Sequence, residues 1–153
     1  MAEHDTPTAE SGAHSDATGF AHVSVMRDEI VEVLSEVPDG IVVDATLGGA
    51  GHAAALLAAN DGISILGLDR DEMALAAAGA RLAAHGDRVT VCHTRFDGLA
   101  AAVQSLGAER LSGALFDLGV SSPQLDLADR GFSFRNDGPL DMRMGATGTS
   151  AEE

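Results

Sequence analysis

The stretch IVVDATLGGAGHAAALLAANDGISILGLD, residues 41–69, predicts a strand, a glycine loop, a helix and a second strand in succession. A short apolar run ends on Asp44, glycines follow at 48, 49 and 51, and an alanine- and leucine-rich segment continues to about residue 59. After a turn of Asn-Asp-Gly, a second apolar run at 63–68 ends on Asp69. Two apolar strands joined by a helix of this length predict a βαβ unit with parallel strands.

The same alternation continues on both sides of this unit. A helix is predicted before it, from residue 25, because apolar residues recur there at three- and four-residue spacings: Met26, Ile30, Val33, Leu34 and Val37. Further strands at 88–93 and 112–116 alternate with helices that begin near residues 71 and 97. We therefore predict an α/β fold whose four parallel strands lie in spatial order 3-2-1-4 and are buried on both faces.

The composition indicates one globular domain behind a polar tail. A chain of 153 residues with 45% hydrophobic residues can bury one core. Residues 1–21 almost lack large apolar side chains, so we expect a disordered acidic tail there and the domain at 22–153. His4 and His14 lie in that tail without a second ligand at a usable spacing, and we expect no metal site.

Charge and cysteine content narrow the class of protein. The net charge of −15 disfavours nonspecific binding to phosphate backbones. The single cysteine, Cys92, excludes an intramolecular disulfide and fits a reducing compartment. No apolar run approaches the ~20 residues of a membrane-spanning helix, and the N-terminus lacks the pattern of a secretory signal. We expect a cytoplasmic protein with no membrane partner.

A long loop follows the last predicted strand. Residues 113–144 read GALFDLGVSSPQLDLADRGFSFRNDGPLDMRM, in which Asp117 ends the strand and no clear period follows. A loop of this length is usually functional or disordered, and Phe132 and Phe134 argue for order. Because open α/β sheets bind ligands beyond the carboxyl ends of their strands, we expect this loop at the functional site.

All nine basic residues are arginines, and three of them lie in this loop: Arg130, Arg135 and Arg143. An arginine there can bind phosphate through two parallel hydrogen bonds. The simpler interpretation, which we favour on spacing alone, is ion pairing with the acidic residues nearby: Asp126, Asp129, Asp137 and Asp141.

The spacing between Asp44 and the glycines distinguishes two kinds of nucleotide site. A dinucleotide fold places G-x-G-x-x-G directly after the first strand, whereas here three residues separate Asp44 from Gly48. A carboxylate at the strand end, with glycines four to seven residues later, is similar to the first motif of S-adenosylmethionine-dependent methyltransferases. Such a carboxylate can face the ammonium group of the ligand, directly or through water.

Four other side chains are candidate ligand contacts because they lie at or just after the ends of strands, or at the start of a helix. Asp69 ends the second strand, where we favour binding of both ribose hydroxyls over the alternative of a helix cap aided by Asp71. Phe96 follows the third strand and either stacks on adenine or belongs to the core. Asp117 binds cofactor or substrate amine, or caps the loop. His52 begins a helix, and we expect it to pack locally without an acid/base role.

Four blocks of the chain resemble the RsmH family, also called MraW, of bacterial 16S ribosomal RNA (cytosine-N4)-methyltransferases. They are HVSVM at 22–26, VDATLGGAGH at 43–52, LGLDRD at 66–71 and DLGVSSPQLDLADRGFSFRNDGPLDMRM at 117–144. The resemblance implies a Rossmann-like S-adenosylmethionine-dependent methyltransferase sheet. It places the family's contacts to S-adenosylmethionine on seven residues: Ala50, Gly51, His52, Asp69, Phe96, Asp117 and Gln124.

Two positions depart from the family pattern. The family usually has a third glycine where Ala50 stands, and commonly a proline where Ser24 stands. If Ala50 contributes only its backbone, its methyl group is tolerable provided that φ stays negative.

The resemblance implies methyl transfer from S-adenosylmethionine to the exocyclic N4 of a cytosine in 16S ribosomal RNA of the small ribosomal subunit. Members of this family are about twice as long. We therefore interpret the chain as an N-terminal piece, without the recognition insertion and closing strands, and expect it to be inactive alone. Two alternatives stay open: a small-molecule or DNA amino-methyltransferase, although SSPQ replaces the D/N-P-P-Y type of motif, and a non-catalytic remnant.

Overall fold

Four parallel strands form one sheet at the centre of the protein. The computed structural model describes residues 24–153, so the predicted tail, with His4 and His14, lies outside the described residues. Neighbouring strands pair in the order β3-β2-β1-β4, which confirms the predicted order. The strands are β1 (Gly40–Asp44), β2 (Ile63–Asp69), β3 (Val89–His93) and β4 (Gly113–Leu115).

Five α-helices and three short 3₁₀ segments connect and follow the strands in residues 24–153. The 3₁₀ segments are Ala83–Arg88, Phe96–Gly98 and Ala128–Arg130. The helices are α1 (Arg27–Leu34), α2 (Gly51–Ala59), α3 (Glu72–Leu82), α4 (Leu99–Ser105) and α5 (Ser122–Asp126). The sequence did not predict α5, which begins with a capping box between Ser121 and Gln124.

The first helix differs from its prediction in length and in its apolar face. It ends at Leu34 rather than Val37, because a residue before proline disfavours helical dihedrals. The side-chain amide of Asn60 donates to the carbonyl of Ser35 at 2.8 Å, which satisfies a carbonyl at this helix end. Val31 and Leu34 pack against the core, whereas Val33, which was predicted on that face, is 71% exposed.

Two apolar clusters lie on opposite faces of the sheet. Val42, Ile63 and Ile65 face α1, α2 and α3, and the neighbouring side chains Val43, Leu66 and Leu68 face α4. Because side chains alternate along a strand, β1 and β2 contribute to both clusters, as their continuous apolar sequences predicted. The prediction of burial on both faces is wrong for β3 and β4, since each is an edge strand of this sheet with exposed residues.

The start of the glycine loop is packed directly on β2. Leu47 donates its backbone N–H to the carbonyl of Leu68 at 2.9 Å, and its side chain is buried over Gly67. A Cβ at Gly67 would lie 2.6 and 2.8 Å from the two methyl carbons of Leu47. Gly67 therefore leaves the space in which Leu47 anchors the loop.

We expect Gly67→Ala to destabilise the protein by about 1–3 kcal/mol, the usual scale of overpacking in a filled core. The matched control is Gly79→Ala within α3, where a Cβ would meet nothing within 4 Å. That change should stabilise by about 0.5–1 kcal/mol, because alanine is the better helix former. Urea unfolding of both variants measures the effects, and equal changes in the two would contradict the anchoring role of Leu47.

Candidate functional site

Three carboxylates meet at the carboxyl edge of the sheet. Asp44 ends β1, Asp69 ends β2, and Asp117 follows β4 by two residues. Asp44 pairs in register with Gly67 and Leu115, so the ends of these three strands are adjacent. The structure thus brings together the three acidic residues that the sequence placed at strand ends.

A network of backbone hydrogen bonds fixes the loop between β1 and α2. Ala45 donates to the carbonyl of Leu115 at 2.9 Å, and Thr46 donates to Oδ1 of Asp44 at 3.2 Å. Ala50 donates to the carbonyl of Leu47 at 2.8 Å immediately before α2 begins. Each turn of this loop is therefore defined before any ligand binds.

Ala50 has an unusual backbone conformation in this loop. Its φ is 59° and its ψ is 31°, so it lies in the left-handed region, and the condition under which its methyl group is tolerated without strain is not met. The chain needs this conformation to turn from the glycines into α2, whose first residue is Gly51. The glycine that the family usually has here is thus explained by backbone geometry.

The carboxylate of Asp69 holds two backbone segments together. Its Oδ2 accepts from the N–H of Gly48 at 2.7 Å, and its Oδ1 accepts from the N–H of Asp71 at 2.9 Å. The helix-capping role itself belongs to Asp71, whose side chain accepts from the N–H of Met73 at 3.0 Å. Each oxygen of Asp69 retains a second lone pair, so ribose binding stays a prediction.

Asp44 is the most perturbed acid of the site. It is 1% exposed, and this burial raises its pKa to about 7, against the hydrogen bond from Thr46, which lowers it. The negative charges of Asp69 and Asp117 contribute to this raised value. The crevice is therefore electronegative, and Asp44 is partly protonated near neutral pH.

His52 lies beside Asp117. The imidazole Nε2 is 3.6 Å from Oδ2 of Asp117, with the histidine side chain buried and the carboxylate half-exposed. The backbone N–H of Asp117 donates to Oγ1 of Thr46 at 2.7 Å, which joins the end of β4 to the glycine loop. His52 thus contacts a carboxylate of the crevice, beyond the local packing that its position predicted.

Phe96 is half-exposed at this edge. The side chain is 46% exposed, so the alternative of a core residue does not hold. Its ring meets that of Phe116 edge to face, with centroids 6.3 Å apart and planes at 77°. Sequence reasoning missed Phe116, which the pairing of β1 with β4 brings to this edge.

Gln124 is buried within the long loop, away from the hydrogen bonds of the carboxylates. Its Oε1 accepts from the N–H of Ser121 at 2.9 Å, and its Nε2 lies 3.5 Å from the carbonyl of Met144. These contacts close the loop on itself. A second N–H of the amide stays available to a ligand, so its predicted contact with the cofactor stays a prediction.

The arginines of the loop behave differently from one another. Arg143 pairs with Asp141 at 2.6 Å, as the simpler interpretation predicted, and lowers the pKa of that carboxyl to about 2. Arg130 pairs instead with Asp71 at 2.8 Å, outside the loop, with both side chains mostly buried. Within residues 24–153, Arg135 has no ion pair.

Two further properties concern only the part of the chain that the structure describes. No group of three or more His, Cys, Asp and Glu side chains there is arranged to hold a metal ion. No helix there has the length and apolar character needed to cross a membrane.

The sequence matches a known protein family. The sequence profile of the MraW methylase family matches residues 19–153. The chain belongs to this family. Each residue of the candidate site lies within the matched region.

Curated relatives are identical to this chain at about half of the aligned residues. The ribosomal RNA small subunit methyltransferase H of Mycobacterium sp. (strain KMS) is 49% identical over 142 residues, which cover 88% of this chain and 38% of that protein. Its counterpart from Synechococcus sp. (strain CC9605) is 50% identical over 138 residues, covering 87% and 45%. The chain thus spans less than half the length of these curated relatives.

A solved rRNA methylase from Streptococcus thermophilus is also similar. It aligns with a TM-score of 0.48 and 28% identity, over 61% of this chain and 52% of that chain.

The left-handed conformation of Ala50 gives a stability prediction within this MraW family member. Ala50→Gly should stabilise the protein by about 0.5–1 kcal/mol, because relief of roughly 1–2 kcal/mol of left-handed strain exceeds the loss of one buried methyl group at about 0.8 kcal/mol. The control is Ala53→Gly, at an equally buried position inside α2. It should destabilise by about 1–2 kcal/mol in the same unfolding experiment, because it loses both a buried methyl group and helix propensity. Destabilisation of similar size at both positions would refute the assigned strain.

Burial of Asp44 predicts a pH-dependent difference from Asp44→Asn. Between pH 4 and pH 7 the folded state holds the Asp44 proton and the unfolded state does not, so the wild-type protein loses stability as the pH rises. Asparagine keeps the acceptor for Thr46 without ionising. Across this window the free energy of unfolding of the variant should therefore rise relative to that of the wild type, by at most about 4 kcal/mol for a shift of ~3 pKa units.

Chemical unfolding of both proteins at pH 4, 6 and 8 measures this difference. Asp126→Asn, at an exposed residue of α5, controls for the change in net charge. A gap between wild type and Asp44→Asn that stayed constant with pH would show that Asp44 ionises alike in both states.

Proposed function

We propose that this MraW family member binds S-adenosylmethionine at the carboxyl edge of its sheet. The whole protein would then methylate the exocyclic N4 of a cytosine in 16S ribosomal RNA of the small ribosomal subunit, in the cytoplasm. The names of the relatives support the substrate, since those proteins are ribosomal RNA small subunit methyltransferases. Cofactor binding is assigned to the residues described here.

The observation that carries this proposal is the group of carboxylates around the glycine loop. Asp44, Asp69 and Asp117 converge, and the negative charges of Asp69 and Asp117 help to raise the pKa of Asp44. The pyrophosphate of a dinucleotide would be repelled by such a site, whereas a ligand with a sulfonium and an ammonium group is attracted. These three carboxylates therefore suit a cationic ligand such as S-adenosylmethionine.

Each residue has a role that follows from its contacts. Asp69 uses its free lone pairs for the two ribose hydroxyls while it holds Gly48 and Asp71 in place. Phe96 stacks on adenine, and its edge-to-face contact with Phe116 fixes the ring plane. Asp44 faces the ammonium group, whose positive charge favours the ionised carboxylate.

When bound, S-adenosylmethionine supplies an electrophilic methyl group to the amine of the base. The lone pair of cytosine N4 is delocalised into the ring, so the main work of the protein is to position that amine. Asp117 accepts an N–H of the amine and orients its lone pair, and His52 at 3.6 Å holds the carboxylate in place. Gln124 keeps the loop closed through Ser121 and Met144.

A chimaera tests the proposed reaction. Residues 19–153 would replace the matching segment of the Synechococcus relative, and the product would be incubated with labelled S-adenosylmethionine and unmethylated small ribosomal subunits. We expect label in cytosine N4 of 16S ribosomal RNA, and at least ~100-fold less with Asp117→Ala, since small losses of positioning have effects of that size. A parallel reaction contains DNA in place of the subunits. Label in that DNA, or a chimaera that binds the cofactor and methylates nothing, would support the two alternative functions.

The role of Asp69 is tested with a pair of ligands, because the residue also holds the loop. S-adenosylhomocysteine should bind the chain more tightly than its 2′,3′-dideoxy analogue by roughly 1.5–3 kcal/mol, the scale of hydrogen bonds to a charged acceptor. In Asp69→Asn this difference should shrink by half or more, whatever happens to overall affinity, since loosening of the loop affects both ligands alike. Calorimetry gives all four affinities. If the two ligands differed in affinity as much in Asp69→Asn as in the wild type, Asp69 would have a structural role only.

A further inference from the structure

The long loop presents an exposed aromatic residue beside an arginine without an ion pair. We call residues 132–137 the loop tip. Phe134 in this tip is fully exposed at 103%, the largest value among the exposed apolar side chains. Arg135 follows it, and its backbone N–H donates to Oγ of Ser133 at 3.3 Å. A ring this exposed is free to stack on a ligand or to pack against a further protein segment.

The segments on either side of the tip are fastened together. Met142 donates its N–H to the carbonyl of Arg130 at 3.1 Å, and the Arg130 guanidinium donates to the carbonyl of Arg143 at 3.2 Å. Gly138 lies so close to the carbonyl of Ala128 that a side chain there would collide with it. The tip is therefore held at its base, which lowers the entropy lost when it binds a partner.

The base of the tip is fixed at the reaction edge of the sheet. Arg130 pairs with Asp71, which follows the end of β2, and a Cβ on Gly145 would lie 2.7 Å from the carbonyl of Arg70. The other end of the loop begins at Asp117, after β4. Both ends of the loop thus lie at the edge that holds the three carboxylates, and the base of the tip is fixed beside the crevice.

The loop tip offers a nucleic acid one arginine beside an exposed aromatic ring. Arg130 and Arg143 are engaged in ion pairs, which leaves Arg135 as the arginine of the loop able to contact a phosphate. Asp137 is also exposed in the tip and balances that charge. Binding should therefore depend mainly on stacking of a base on Phe134, with one phosphate contact to orient it.

We propose that Phe134 and Arg135 bind the single-stranded RNA segment next to the target base. Phe134 stacks on a neighbouring base and Arg135 contacts a backbone phosphate. This inference rests on the proposed function, because it assumes that RNA approaches the carboxyl edge. An exposed phenylalanine also suits a second copy of the chain or another protein segment, and the test separates these occupants.

Ultraviolet cross-linking of the 153-residue chain to a short oligonucleotide of cytidine and uridine locates the contact. Trypsin cuts after Arg130 and Arg135, so a cross-link to Phe134 appears on the peptide GFSFR at residues 131–135. We expect that peptide among the cross-linked products. Cross-links confined to other peptides would overturn the proposal.

Fluorescence anisotropy at low salt then measures the contribution of each side chain. Phe134→Ala should weaken binding of the same oligonucleotide about tenfold, and Phe134→Tyr should restore it, because stacking on an aromatic ring is worth a factor of that order. Arg135→Ala should lower affinity and reduce the salt dependence by at most about 0.7 in slope, one phosphate contact to a single strand.

Two matched controls make the result specific. Arg110→Ala removes the same charge before β4, at the opposite edge of the sheet, and Leu140→Ala removes an exposed apolar side chain outside the tip. Neither should change affinity more than twofold. Equal losses in the controls and the tip variants would overturn the proposal in favour of nonspecific attraction.

Calorimetry with S-adenosylmethionine separates this inference from the proposed function. Phe134→Ala should bind the cofactor as the wild type does. Cofactor binding without a cross-link at the tip would overturn only the RNA contact, and a tip cross-link without cofactor binding would overturn only the proposed function. A concentration-dependent dimer in sedimentation that Phe134→Ala abolishes would make the tip a protein interface and overturn the proposal.

Discussion

The carboxylate of Asp69 is the point on which the rest of the site depends. With one oxygen it holds the N–H of Gly48 in the glycine loop, and with the other it holds the N–H of Asp71 before α3. Two loops that are separate in sequence are thereby fixed to the end of one buried strand. A neutral side chain cannot accept both bonds with the strength of an ionised acid. The geometry of the crevice therefore requires a negative charge at this position.

That charge has an electrostatic consequence for its neighbours. Burial is the largest cause that raises the pKa of Asp44 to about 7, and the negative charges of Asp69 and Asp117 contribute to that value. The fold is thus less stable than it would be with a neutral residue at Asp44, in the way that binding sites often carry unfavourable features. A cationic ligand removes this repulsion, so part of its binding free energy comes from relief within the protein. The same reasoning argues against anionic ligands at this edge.

The sequence predicted the sheet well because the sheet depends on local patterns and on handedness. Alternating strands and helices with right-handed crossovers allow few arrangements, and the order β3-β2-β1-β4 is among them. The apolar face of α1 was partly wrong, since Val31 and Val33 are both apolar and only packing decides between them. The sequence alone did not predict strain at Ala50, because alanine favours negative φ and only the path from the glycines into α2 overrides that preference.

Contacts between distant segments account for what the sequence could not predict. Arg130 has several acidic neighbours in the loop, yet it pairs with Asp71, because the loop folds back over the edge of the sheet to the turn after β2. Asp71 in turn donates its backbone N–H to Asp69. The long loop, the turn before α3 and the proposed ribose-binding acid are thus joined by consecutive hydrogen bonds. Since the Arg130–Asp71 pair is mostly buried, breaking it leaves an uncompensated charge, so the loop and the crevice of the three carboxylates are held together as one unit.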